Sequence, residues 1–117
     1  MDSDSKYPGR FSMSLSQQQK RQIKIFCALR TMTLKEWYER AFMAFLKNRK
    51  RLKSQDQNYL YRARPVEAES FSMVTTARVV DEMRASAKQD NVRYVSAYYT
   101  AVVEYLEKNE VNDGLGN

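Results

Sequence analysis

The 117-residue chain contains no histidine, one cysteine, two prolines and three glycines. The absence of histidine removes imidazole acid/base chemistry, Ser-His-Asp triads and His-ligated metal sites. The lone Cys27 can form no internal disulfide, and with Ile23 and Phe26 as helical neighbours it reads as a small core residue. Three glycines leave no Gly-rich loop to cradle a phosphate. No run approaches the roughly 18 apolar residues of a membrane-crossing helix, and "MDSDSKYPG" at the start lacks the basic-then-apolar order of a secretory signal. A soluble, intracellular protein with no membrane partner is expected. The carboxylates Glu36, Glu39, Asp81, Glu82, Glu104 and Glu107 fall on solvated helix faces without a paired constellation, so neither a cofactor nor catalysis is expected.

What is present is enough to fold: 43% hydrophobic and 12% aromatic residues, in a length suited to one small domain spanning 1–117. The net charge of +6 is unevenly placed. Residues 10–46 hold seven Lys/Arg against two acids, residues 47–64 seven against one, and residues 70–108 five against five. A positive field concentrated in the first half and the middle is the electrostatic outline of a nucleic-acid binder.

The chain repeats itself. An ungapped offset of sixty pairs Phe11-Ser12-Met13 with Phe71-Ser72-Met73, and Tyr38, Ala41 and Leu46 with Tyr98, Ala101 and Leu106. Each copy opens with period two: Phe11, Met13 and Leu15 alternate with Arg10, Ser12 and Ser14, and Phe71, Met73 and Thr75 alternate with Ser70, Ser72 and Val74. These are half-buried strands. Ser16 with Gln19 forms a capping box for a first helix using Ile23, Phe26 and Cys27; its second copy starts at Thr76 and uses Val79, Val80, Met83 and Ala87. Breaks follow at "RTMT" and "DNVR", where Asn91 suits a left-handed helix end better than Thr31 does. Thr33 with Glu36 caps a second helix with Leu34, Tyr38, Ala41, Phe42, Phe45 and Leu46 on one face, a spacing repeated by Tyr94, Tyr98, Ala101, Val102, Tyr105 and Leu106.

Each unit, 10–47 and 70–108, is therefore strand, helix, helix, and about 38 residues is too few to fold alone. A lone strand also leaves backbone groups unpaired. The economical arrangement is a mainly α fold in which the two strands pair as an antiparallel β-ribbon over a shared four-helix core, an intramolecular pseudo-dimer. Residues 48–69 form a basic linker and residues 109–117, like the first nine, a flexible tail.

This pattern resembles the ribbon-helix-helix family of DNA-binding proteins, over about 76 of the 117 residues. It is most similar to tandem, single-chain members that act as accessory factors in T-DNA processing and conjugative DNA transfer. Thr31 and Asn91 stand where the family usually places glycine, and Arg93 replaces the capping hydroxyl in the second copy. The resemblance implies double-stranded DNA as partner, a relaxase or nickase complex as a second, and a bacterial, plasmid-associated, cytoplasmic setting. It implies that the outward strand residues Arg10, Ser12, Ser14, Ser70, Ser72 and Val74 read bases in the major groove. It also implies that the second-helix starts, Thr33, Leu34 and Lys35 in one copy and Arg93, Tyr94 and Val95 in the other, hold backbone phosphates, with Lys20, Arg21 and Lys24 adding contacts. Divergent copies predict a non-palindromic site, with the basic first copy supplying most backbone affinity.

Three alternatives stay open. The linker, seven basic residues with Tyr59 and Tyr61 between them, either clamps DNA or stacks on single strands, or is a helix end whose tyrosines dock on the core, the commoner arrangement. A transcriptional repressor or antitoxin is the second reading within DNA binding. A protein-interaction module that recruits a DNA-processing partner through Trp37, Tyr99 and the linker belongs to another class.

Overall fold

The computed structural model describes residues 9–109. Strand β1 (Gly9–Leu15) leads into α1 (Gln17–Arg30) and α2 (Leu34–Ser54); after a connecting segment, β2 (Glu69–Thr75) leads into α3 (Ala77–Gln89) and α4 (Tyr94–Lys108). Of the expected tails, residues 1–8 and 110–117 lie outside the described residues, whereas Asn109, placed in the second tail, caps the last helix, its Nδ2 donating to the Tyr105 carbonyl at 2.9 Å. Gly9, placed in the first tail by its sequence context, is instead the first residue of β1.

The strands pair antiparallel with Gly9 opposite Thr75, Ser12 opposite Ser72 and Leu15 opposite Glu69. The register is centred on Ser12 and Ser72, residues that the sixty-residue offset also pairs, so exchanging the copies leaves every pairing unchanged. Phe11, Met13 and Leu15 are buried beneath β1, with Thr75 and the half-buried Phe71 and Met73 beneath β2. Phe11 enters an aromatic nest, with ring centroids 5.5 Å from Tyr38, 5.0 Å from Phe42 and 5.3 Å from Tyr98. Thr75 buries its hydroxyl by donating to the Lys35 carbonyl at 2.9 Å.

Both capping boxes form. Ser16 Oγ accepts from the Gln19 amide at 3.1 Å while Gln19 Oε1 accepts from the Ser16 amide at 2.9 Å, and Thr33 and Glu36 do the same at 3.1 and 2.9 Å. Thr76 and Arg93, the equivalent starts in the second half, make no side-chain cap. Helices α1 and α3 close alike: Thr31 and Asn91 adopt φ 52° and 57°, and the next amides, Met32 and Val92, reach back to the Cys27 and Ala87 carbonyls. Cys27 is buried, its thiol directed at the Thr33 carbonyl.

The second helices depart from the expected stripes. Trp37, expected at the edge of the core, is fully buried and packs edge-on to Tyr105 at 5.4 Å. In α4, Tyr94 is exposed, whereas Tyr99, Thr100 and Val103 are buried. The cause is the position of α4, which packs against α2, α3 and β1 and so is enclosed on more than one face. Helix α2 runs to Ser54, carrying much of the basic run in helical form.

The ends of the ribbon differ. A Cβ on Gly9 would sit 2.7 Å from Val80 Cγ2 and 2.8 Å from the Ala77 Cα, so only glycine lets β1 approach the start of α3 this closely. Sixty residues on, Glu69 occupies the matching place. It accepts from Gln17 Nε2 at 3.4 Å and pairs with Lys20 at 3.5 Å, Gln17 and Lys20 being the counterparts of Ala77 and Val80. A dry backbone contact in one half is a polar contact in the other.

Candidate nucleic-acid interface

The ribbon face turned away from the core carries the alternate residues of each strand. Arg10, Ser12, Ser70 and Ser72 are exposed and Val74 is half-buried opposite Arg10. The Ser12 and Ser72 hydroxyls share a hydrogen bond of 2.9 Å, and Ser14 and Ser70 share one of 3.1 Å, so the middle of the face is a flat row of paired hydroxyls. Arg10 projects from one end, and its backbone carbonyl accepts from Arg84 Nη2 at 2.6 Å. Arg84 also donates to the Tyr98 hydroxyl and lies over the exposed Tyr94 ring.

Ser14 corrects the expectation of an open base-reading residue. It is only 7% exposed, because Arg64 of the connecting segment lies across it and donates Nη1 to its hydroxyl at 3.1 Å. Alternation places Ser14 outward correctly, but a segment fifty residues away covers it.

The two second-helix starts are electrostatically unlike. At Thr33, Leu34 and Lys35, the capping box occupies the Thr33 amide and places the Glu36 carboxylate in the first turn, where it meets the helix dipole in place of an incoming anion. At Arg93, Tyr94 and Val95 there is no side-chain cap and no acid in the first turn, and Arg93 is exposed. Arg21 and Lys24 are exposed on α1, whereas Lys20 is held by Glu69 and over the Phe71 ring at 5.4 Å.

The middle segment is less free than its charge suggests. Asp90 accepts from Arg49 Nε and Nη2 at 2.9 Å each, from Lys53 Nζ at 2.9 Å and from the Tyr61 hydroxyl at 2.5 Å. Chiefly through the Arg49 hydrogen bonds, these partners hold the Asp90 carboxyl well below the usual range. Arg62 forms a two-pronged pair with Glu107 at 2.9 and 2.7 Å, and its amide donates to Thr100 Oγ1. Tyr59 is buried, its hydroxyl donating to Glu104 and accepting from Asn48, and both linker tyrosines pack on Phe45. Burial, followed by the carboxylate acceptors, pushes both phenols up.

The tyrosines therefore dock on the core and present no free stacking platform, and three of the seven middle cations, Arg49, Lys53 and Arg62, are spent on internal pairs. Trp37 and Tyr99 are likewise too buried to serve as the recruiting surface of an interaction module.

Sequence reasoning missed Arg84 and did not single out Arg64 from the seven basic residues of the middle. Arg84 had a signal, since it lies sixty residues after Lys24, a basic position in both copies; Arg64 had only its place in the basic middle run. Among the described residues no group of three Cys, Asp or Glu side chains is placed to hold a metal, and no helix is long and apolar enough to cross a membrane. No family model, curated protein or solved structure matches the chain.

Proposed function

We propose that the protein binds double-stranded DNA with a sequence preference, its two strand–helix–helix units forming a single-chain pseudo-dimer of the ribbon-helix-helix kind that lays its ribbon in the major groove. The observation that carries this reading is the outward ribbon face: Arg10, two paired-serine rungs and Val74, on a strand pair whose register is symmetric about Ser12 and Ser72. A two-stranded ribbon fits a major groove about 12 Å wide, where arginine pairs with guanine, hydroxyls donate or accept, and an aliphatic group meets a thymine methyl. The start of α4, with no side-chain cap, no acid in its first turn and the exposed Arg93 beside it, suits a flanking phosphate better than the start of α2, whose Glu36 opposes one. The biological role that goes with this reading is that of an accessory factor marking a DNA-transfer site for a relaxase or nickase complex, without catalysis of its own.

The test is a fluorescence-anisotropy titration of a duplex carrying a T-DNA border enhancer against a scrambled duplex, at several salt concentrations. The enhancer duplex binds more tightly and keeps its advantage as salt rises, and Arg10→Ala lowers that advantage by about 5- to 150-fold, the worth of a bidentate arginine–guanine contact. Equal affinities that fall together with salt reduce the protein to an electrostatic binder.

A further inference from the structure

We infer that Arg64, delivered by the connecting segment, is a second base-reading arginine that stands in for the one the second strand lacks, and that it reads a guanine about four base pairs from the one read by Arg10. The inference rests on the DNA-binding reading and deepens it. Arg10 lies two residues from the centre of the ribbon, and its counterpart sixty residues on is Ser70, which has no charge. At that end of the ribbon, Ser70 hydrogen-bonds to Ser14, and Ser14 accepts from Arg64 Nη1. The outward face thus carries a guanidinium at each end, one on the strand and one brought over it.

The approach of Arg64 is fixed from behind. Two residues earlier, Arg62 is pinned by Glu107 and Thr100, and before it Tyr61 and Tyr59 are anchored to Asp90 and Glu104. Ser14 holds one nitrogen of the fork, which leaves Nη2 and Nε to approach guanine O6 and N7 together. Ser14 is in this sense a positioning residue. Ser14 lies four residue steps along the strand from Arg10, about 13 Å, which corresponds to roughly four base-pair steps at 3.4 Å each.

The experiment enriches a randomised duplex pool on the parent protein. Arg10→Ala, Arg64→Ala and Arg64→Lys are then titrated on the selected duplex and on each of its single-base variants, at several salt concentrations. The expected result is two guanine positions about four base pairs apart. Arg10→Ala erases discrimination at one and Arg64→Ala at the other, each by about 5- to 150-fold. Arg64→Lys keeps the charge and the affinity for unselected DNA but loses the same discrimination as Arg64→Ala. Arg64 is exposed, and unchanged thermal melting of its variants verifies that they are folded. If Arg64→Ala weakens all duplexes alike with a shallower salt dependence, Arg64 is a phosphate contact and the inference is overturned, as it is if the variant binds like the parent. Enrichment of no sequence by the parent overturns the DNA-reading proposal itself, a different outcome from a selected site that depends on Arg10 alone.

Discussion

At the scale of the residue, the two copies perform a natural substitution experiment on the left-handed helix end. Thr31 and Asn91 are sixty residues apart, hold nearly the same φ and make the same reach-back hydrogen bonds from the following amide. Asparagine tolerates this conformation, whereas for other L-residues it costs about 1–2 kcal/mol, and the β-branched threonine is among the least suited. Glycine removes the steric cost, although it also gives the unfolded chain more freedom, which returns part of the gain. Thr31→Gly is therefore expected to stabilise the protein by about 0.5–1 kcal/mol, raising the thermal midpoint by about 2–5 °C. Asn91→Thr should act in the opposite direction. Thermal melts of both variants followed by circular dichroism check the pair; a lower midpoint for Thr31→Gly would show that the threonine side chain contributes more by its contacts than its backbone costs.

At the scale of the element, the junction of α2, α3 and the connecting segment turns on one carboxylate. Asp90 sits at the C-terminal end of α3, where the helix dipole disfavours a negative charge, and it stays ionised because Arg49, Lys53 and Tyr61 surround it. Its folded-state pKa lies below its ordinary value of 3.8, so the native state favours the ionised form. That stability is complete above the ordinary aspartate range and is lost as the pH falls from about 4 toward the lower folded-state value. Asp90→Asn leaves Arg49, 12% exposed in its side chain, and Lys53 without a counter-ion. The cost should be about 2 kcal/mol at neutral pH, shrinking progressively below pH 4. Urea unfolding of parent and variant between pH 2 and pH 7 checks this, and a constant difference across that range would exclude the carboxylate charge as its source. Lys53 and Arg49 lie on the basic run that composition alone assigns to a partner. Much of what was legible was local: both capping boxes, the alternating strands and the sixty-residue offset rest on spacings of a few residues or on self-similarity. The Asp90 clamp and the Arg64 contact to Ser14 join residues 41 and 50 positions apart, and no periodicity encodes them. The same reason accounts for Trp37 and Tyr99, whose burial is decided by the neighbours that enclose their helices, while their own stripes place them at an edge.

At the scale of the whole molecule, the determining fact is that both strands of the ribbon belong to one chain. Each strand–helix–helix unit is too short to bury a sufficient core alone, so folding requires the other unit at high effective concentration. The segment between Ser54 and Glu69 supplies it: fourteen residues reach up to about 50 Å when extended, more than the longest dimension of the described residues, 38 Å. It does not hang free, since Tyr59, Tyr61, Arg62 and Arg64 fasten it in succession to α4, α3 and the ribbon. Closure within the chain is therefore favoured over exchange of strands with a second molecule, because the second unit is already at high effective concentration beside the first. The expected consequence is a thermal midpoint independent of protein concentration over a hundred-fold range, with the mass of a single chain in sedimentation. A midpoint that climbs with concentration would mean that the ribbon forms between chains by strand exchange. The distinction bears directly on the proposed DNA binding. A ribbon closed within one chain fixes Arg10 and Arg64 at its two ends in every molecule, whereas an exchanged dimer would present two ribbons and double the arginine-dependent positions in the selected site.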